Sequence, residues 1–183
     1  MLLLVAVQTG LRVSELIGLR CRDVAFGTGA HVRCMGRGRK ARCVPLCKET
    51  AIALRSWLGE RGGQNDDFVF PNARGHQLSR DGVEYLIAKH LLAARRQCPS
   101  LKTKRVSAHV LRHTSAMELL QHGVDRSVIA LWLGHERMET TQVYLHASLQ
   151  LKEQALAKTE PFAGQARRYR PKDSLLAFLD GLG

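Results

Sequence analysis

The chain is short of acidic residues, of aromatic residues and of long apolar runs. It has 16 Asp and Glu against 28 Lys and Arg, a formal net charge of +12, and 5% of its 183 residues are aromatic. The apolar run Met1–Val7 is far shorter than the ~20 residues of a membrane span, and no basic segment precedes it as in a signal peptide. The five scattered cysteines are odd in number, which is typical of reduced thiols in a cytoplasm. These shortages exclude a membrane protein and a secreted disulfide scaffold.

The hydrophobic content, the length and the basic charge indicate a globular domain that binds an acidic partner. Hydrophobic residues make up 45% of the chain, which excludes wholesale disorder, and the length accommodates roughly one domain. A domain this basic is typical of nucleic-acid binding. Because aromatic residues are few, the sequence offers no evident stacking surface for RNA, which makes RNA the less favoured partner.

The apolar pattern and the turn signals predict an α+β fold that is mainly α, with a small antiparallel β-sheet near the N-terminus. Two strands flank the basic, glycine-rich hairpin of residues 36–40, and the rest of residues 1–158 is mostly helical. Residues 159–183 are predicted to form a basic linker and an amphipathic C-terminal helix. The first helix has no capping residue before it, so we expect a segment to be missing upstream, the alternative being that the chain starts there. The predicted strands are Ala30–Met35 and Ala41–Leu46, and the predicted helices include Lys48–Leu58, Ser79 to about Gln97, Ser107 to about Gln121, Asp125 to Gly134, Thr140–Leu145 and Leu149–Lys158.

Two segments place a cation beside a second functional group on a helix. Arg12 follows a Thr-Gly turn at a helix start, where the helix N-terminus favours anions, and Glu15 is three residues on, able to orient the guanidinium. His109 and Arg112 share one helix face at i, i+3 spacing, so they can offer a titratable donor and a planar bidentate donor to one anion.

A zinc site is the weaker interpretation of the histidines. His109 and His113 have i, i+4 spacing, but the zinc-peptidase pattern needs Glu after the first His, where this chain has Val110. The Cys43 and Cys47 pair has no second pair of matching spacing. No metal or other cofactor is expected.

Four motifs in fixed order resemble one family. They are Thr9-Gly10-Leu11-Arg12-Val13-Ser14-Glu15-Leu16, then His109-x-x-Arg112-His113-Thr114, then Leu133-Gly134-His135, then Thr140-Thr141-x-x-Tyr144. Each motif is weak alone, and His135 or Tyr144 alone would be interpreted as a helix cap or a buried side chain. Together, from about Leu2 to Lys158, they resemble the catalytic domain of the tyrosine recombinases, which include phage and mobile-element integrases and Xer-type resolvases.

The resemblance implies site-specific DNA recombination through a 3′-phosphotyrosyl intermediate, with neither metal nor nucleotide cofactor. Tyr144 would attack the scissile phosphate, and Arg12 and Arg112 would hold its non-bridging oxygens. His109 and His135 match the positions for proton handling and further phosphate contact, and Glu15 matches a supporting acid.

One departure from the family pattern concerns the general acid. The Xer-type hairpin carries Gly-Lys-Gly-x-Lys-x-Arg, whereas this chain has Arg37 at the first lysine position and Lys40 at the second. Because arginine is a poor proton donor, Lys40 is the preferred general acid, with Arg37 as the alternative. Further DNA contacts are expected from basic residues in and around the hairpin and before the His109 helix, namely Arg37, Arg39, Arg42, Lys102, Lys104 and Arg105.

The resemblance also implies partners and leaves alternatives. Family members have an N-terminal core-binding domain, for which this sequence shows no counterpart, and they assemble as homo-tetramers on DNA, being monomers when free. The C-terminal helix would dock on a neighbouring subunit or fold back on its own domain. The alternatives are a non-catalytic DNA-binding fragment and a metal-dependent nuclease. For the nuclease, Asp66-Asp67 is a weak candidate for the carboxylates that bind Mg²⁺. The expected location is the bacterial cytoplasm, at the nucleoid when bound to DNA.

Overall fold

The helices and strands lie in the order that the sequence predicts. The computed structural model describes residues 1–36, 41–134 and 156–157. The predicted helices after Gly134, apart from Leu156 and Ala157, and the arm of residues 159–183 lie outside the described residues. The elements are α1 (Leu2–Thr9), α2 (Val13–Gly18), β1 (Val24–Ala25), β2 (His31–Met35), β3 (Ala41–Pro45), α3 (Lys48–Arg61), α4 (Arg80–Gln97), α5 (Ala108–Gln121) and α6 (Arg126–Leu133).

The starts of α4, α5 and α6 confirm the predicted caps. Ser79 Oγ accepts a hydrogen bond from the Gly82 N–H at 3.0 Å, and Ser107 Oγ accepts one from the Val110 N–H at 3.3 Å. Asp125 Oδ1 accepts the Ser127 N–H at 2.8 Å. Each cap satisfies a helix N–H that has no partner within the helix.

The sheet is antiparallel in the order β1-β2-β3. Val32 lies opposite Val44 in the register of β2 and β3, and both side chains are fully buried. The two-residue strand β1 was not predicted, because its pairing to β2 defines it rather than any pattern of its own. Helix α3 continues to Arg61, three residues beyond the prediction, and ends at Gly62 in the left-handed region.

The hydrophobic core contains side chains from β2, β3 and all six of the helices named above. Trp132 of α6 is fully buried, and its indole N–H donates to the Thr9 carbonyl at 2.9 Å. Leu16, Leu54 and Ile129 are likewise buried. Burial of such side chains is the main stabilising contribution to the fold. Among the described residues, no helix combines the length and apolar composition needed to cross a bilayer.

Gly10 ends α1 and allows three elements to meet. Its φ is +63°, in the left-handed region that glycine adopts without penalty. A Cβ at this position would lie 2.8 Å from Leu133 Cδ2 and 2.9 Å from Ser115 Oγ. The turn therefore brings α1 against α5 and α6 and places Arg12 at the start of α2, beside the end of α6.

Candidate active site

A basic cleft lies between the N-terminal ends of α2, α4 and α5. Its volume is about 420 Å³, and its walls include Arg12, His109 and Arg112. The structure thus brings together three of the predicted site residues, which are up to 100 positions apart in the chain. Arg80 and Glu84 of α4 also line the cleft and were not predicted, although Arg80 directly follows the predicted cap Ser79.

Arg12 is the partly exposed cation of the cleft. It precedes α2, and its side chain retains 30% exposure. Its Nη1 lies 3.4 Å from the Gly134 carbonyl and 3.5 Å from Glu15 Oε1. Because both contacts are made by Nη1, the N–H groups of Nη2 and Nε are available to an anion in the cleft.

Arg112 is the buried cation. Its Nη1 donates to the Gly10 carbonyl at 2.6 Å and its Nη2 to the Leu133 carbonyl at 2.9 Å. Burial, together with the charges of Arg12 and Arg42, lowers the pKa of Arg112 to about 10. The lowered pKa means that the fold holds this charge at a cost, which a bound anion would offset.

Arg42 does not have the DNA-binding position predicted for it. Its side chain is buried, with Nη1 and Nη2 donating to Glu15 Oε1 and Oε2 at 2.5 and 2.8 Å. Arg42 is therefore the main partner of Glu15, whereas the sequence predicted Arg12 in that role. The prediction was wrong because a basic residue beside a hairpin is exposed only when it lies on an exposed face of its strand. The face of β3 that carries Arg42 lies against α2 and α6.

Glu15 connects Arg12 and Arg42. Besides Arg42, its Oε2 accepts the backbone N–H of Arg12 at 2.8 Å. Burial alone would raise the pKa of Glu15, but the hydrogen bonds and charge of Arg42, assisted by the Arg12 N–H, hold this pKa below its ordinary value. Glu15 is therefore ionised at neutral pH and neutralises one of three clustered positive charges.

Three successive carbonyls at the C-terminal end of α6 hold the arginines. Trp132 O accepts from Arg42 Nε at 3.1 Å, Leu133 O from Arg112 Nη2, and Gly134 O from Arg12 Nη1. We name these atoms the α6 carbonyl row. The last carbonyls of a helix have no partners within it and carry partial negative charge, so they are favourable acceptors for cations.

His109 lies in the first turn of α5, exposed to the cleft. Its Nε2 is 2.5 Å from Nε2 of His113, and the two rings meet edge to face. Within the part of the chain that the structure describes, no group of three or more His, Cys, Asp or Glu could hold a metal ion. Cys43 is buried, and Cys47 Sγ contacts Thr50 Oγ1.

The remaining predicted residues fall into two groups. Lys102, Lys104 and Arg105 are exposed in the segment between α4 and α5, where they stay predicted DNA contacts. The others lie outside the described residues, namely Arg37, Arg39, Lys40, His135 and Tyr144.

We expect Glu15→Gln to lower stability at pH 7 by about 1–3 kcal/mol, because Arg42 loses its ionised partner. Since the pKa of Glu15 is lower in the folded state, its stabilisation exists above the unfolded-state pKa and disappears as the pH falls through the folded-state value. The free energies of unfolding of wild type and variant should therefore converge as the pH falls below the ordinary Glu pKa of about 4.3 and through the lower folded-state value. Urea unfolding across this pH range measures the difference in free energy of unfolding between wild type and variant. A difference that stays constant down to the lowest pH would contradict the prediction.

Comparisons with known proteins point to one family. The model of the phage integrase family matches residues 1–150. A Sinorhizobium fredii protein named as an integrase/recombinase, y4rC, is 58% identical over 180 residues, which are 98% of this chain and 54% of that protein. Tyrosine recombinase XerD of Yersinia pestis is 36% identical over 165 residues, 87% of this chain and 53% of XerD. The chain thus spans about half the length of the curated relatives it matches.

Solved structures agree as well. The XerH site-specific recombinase bound to its difH substrate in a pre-cleavage complex is 27% identical, with a TM-score of 0.63 over 83% of this chain and 41% of XerH. The integrase of mycobacterium phage Brujita, 24% identical, has a TM-score of 0.72 over 97% of this chain and 55% of its own, which shows the common fold. With the family model, the relatives and the fold in agreement, this chain belongs to the phage integrase family, the tyrosine recombinases.

Proposed function

We propose that this chain supplies the catalytic domain for site-specific recombination of double-stranded DNA. The observation that carries the proposal is the convergence of Arg12, His109 and Arg112 on one cleft. Arg12, Arg42 and Arg112 bring three positive charges, and Glu15 brings one negative charge, so the cluster has a net charge of +2. A phosphodiester is the anion that a basic DNA-binding domain would place there.

The arginine cluster suits the transition state of phosphoryl transfer better than its ground state. Negative charge accumulates on the non-bridging oxygens as the nucleophile attacks, and fixed cationic donors stabilise that charge without reorganising. Arg112 is fixed by two backbone carbonyls and Arg12 by one. Both cations are thus positioned before the substrate arrives.

In the proposed step, the phenol oxygen of Tyr144 attacks the scissile phosphorus and the bond to the 5′-oxygen breaks. The products are a 3′-phosphotyrosyl link and a free 5′-hydroxyl. The phenol loses a proton, with His109 and His135 as the groups that accept it or contact the phosphate, and the leaving 5′-oxygen gains one from Lys40, with Arg37 as the alternative donor. Attack by the 5′-hydroxyl of a second strand reverses the step and rejoins the DNA.

The proposal includes the partners that recombination requires. The XerH complex with difH supports binding of duplex DNA, to which Arg37, Arg39, Lys102, Lys104 and Arg105 would contribute. Four copies would assemble in the synapse, joined through residues 159–183, and the protein would act in the bacterial cytoplasm.

A non-catalytic DNA-binding fragment is the second candidate. The observation that favours it is the exposed basic stretch that includes Lys102, Lys104 and Arg105, which does not line the cleft. Most of the affinity for DNA comes from phosphate contacts, so such residues could bind DNA without cleavage of a scissile bond.

A covalent-trapping experiment distinguishes the two candidates. Nicked duplexes with a randomised core, which lose a short strand after cleavage, are mixed with wild type and with Tyr144→Phe in EDTA. We expect an SDS-resistant protein–DNA adduct in the wild type alone. Salt-sensitive binding without an adduct would select the DNA-binding fragment, and an adduct in Tyr144→Phe would overturn Tyr144 as nucleophile. Cleavage that requires Mg²⁺ would instead indicate a nuclease.

A further inference from the structure

We infer that Arg42 is a positioning residue of the phosphate site, which holds Arg12 and Arg112 in place without touching DNA itself. The inference rests on the proposed function, and it concerns a residue whose sequence position predicted a DNA contact. Arg42 is 9% exposed. All three nitrogens of its guanidinium donate to protein acceptors: Nη1 and Nη2 to the two Glu15 oxygens, and Nε to Trp132 O.

The first connection runs from Arg42 through Glu15 to Arg12. The bidentate pair fixes the plane of the Glu15 carboxylate, and the same carboxylate accepts the Arg12 backbone N–H at 2.8 Å and lies 3.5 Å from Arg12 Nη1. Without Arg42, Glu15 would be free to turn toward Arg12 and occupy the guanidinium that the phosphate needs.

The second connection runs through the α6 carbonyl row. Arg42 Nε holds the Trp132 carbonyl, and the next two carbonyls along the chain hold Arg112 and Arg12. The contact is close, since a Cβ at Gly134 would lie 2.8 Å from Arg42 Nη1. Arg42 therefore fixes the end of α6, against which both phosphate-binding arginines are aligned.

Arg42 also affects the charge of the site. Its charge, after burial and Arg12, contributes to the lowered pKa of Arg112, so its presence increases the gain from binding an anion. A neutral residue at position 42 would remove this charge and leave Glu15 to neutralise Arg12.

The matched control is Arg22. Its guanidinium pairs with Asp66 at the surface, with side chains 57% and 75% exposed, and it does not line the cleft. Arg22→Gln and Arg42→Gln therefore make the same chemical change in an acid–arginine pair, one exposed and one buried.

The first test measures anion binding by the full chain. The thermal midpoint is followed as sodium sulfate is added, against sodium chloride at equal ionic strength. We expect saturable stabilisation by sulfate in wild type and in Arg22→Gln. In Arg42→Gln, the sulfate concentration that gives half of the maximal stabilisation should be at least about tenfold higher. A half-maximal sulfate concentration of Arg42→Gln within twofold of wild type would overturn the inference. If Arg42→Gln fails to fold, Arg42→Lys decides in the same way, because lysine keeps the charge but cannot reach all three acceptors.

The second test separates positioning from general damage to the fold. A duplex recovered by covalent trapping is prepared with a phosphodiester or a neutral methylphosphonate at the cleaved position. A methylphosphonate carries no charge for the arginines to neutralise, so the cleavage deficit of Arg42→Gln relative to Arg22→Gln should shrink at least tenfold on it. An equal cleavage deficit on the phosphodiester and the methylphosphonate would overturn the positioning role of Arg42 and leave the proposed function standing. Failure of wild type to form any adduct would instead overturn the proposed function, and the inference with it.

Discussion

Replacing Arg112 by Gln should reduce the rate of strand cleavage by about 10³-fold or more while the chain stays folded. Loss of one preorganised donor to developing oxyanion charge costs about 10²–10³ in rate, and loss of an arginine at a transferring phosphoryl group costs 10³–10⁵. The amide of Gln cannot supply positive charge to the non-bridging oxygens. The rate of adduct formation in a single turnover measures the effect.

The effect of Arg112→Gln on stability should be much smaller. The wild-type charge is held at a cost, as its lowered pKa of about 10 shows, and the Gln amide can donate to one of the two carbonyls that Arg112 contacts. We expect a loss of less than about 2 kcal/mol, within the range for one unsatisfied buried acceptor. Urea unfolding checks it, with Arg22→Gln as the exposed control. Cleavage within tenfold of wild type would exclude Arg112 from phosphate stabilisation.

Gly10→Ala should destabilise the chain by about 2–5 kcal/mol and slow cleavage as well. A non-glycine residue in the left-handed region costs roughly 1–2 kcal/mol, and the added methyl would meet Leu133 and Ser115 at 2.8–2.9 Å, where overpacking costs about 1–3 kcal/mol. Because the Gly10 carbonyl holds Arg112, any shift of this turn also moves the phosphate site. Urea unfolding and single-turnover cleavage measure the two effects.

Gly123 provides the control for this substitution. Its φ of +72° is similar, but an added Cβ would meet nothing within 4 Å. Gly123→Ala should therefore show the conformational cost alone, with unchanged cleavage. Equal destabilisation by the two substitutions would mean that the close approach of α1, α5 and α6 contributes nothing.

Local chemistry explains which parts of the fold could be predicted. Caps such as Ser107 and Asp125 bind N–H groups two or three residues away, so their signals are contained in a short stretch of sequence. Strand β1 has no such signal, because only β2 makes it a strand. The mainly helical α+β class and the family were predicted correctly, since each depends on several independent segments.

The candidate site was predicted only in part, for a different reason. Motif order could bring Arg12, His109 and Arg112 together, because each matches a family position. Arg42 was misassigned because its burial depends on the face of β3 that meets α2 and α6, and the spacing of basic residues carries no such information. The carbonyl acceptors of Trp132 and Leu133 could not be predicted either, since backbone atoms are the same at every position.

The use of backbone atoms as ligands has a consequence for how this region can vary. Substitution at position 133 changes packing but cannot remove the carbonyl that Arg112 contacts. A residue inserted into or deleted from α6, in contrast, would rotate everything beyond it by about 100° and shift it by about 1.5 Å, withdrawing all three acceptors from their arginines at once. Changes of length in α6 therefore threaten all three carbonyl contacts, whereas a change of side chain leaves the acceptor atoms themselves present.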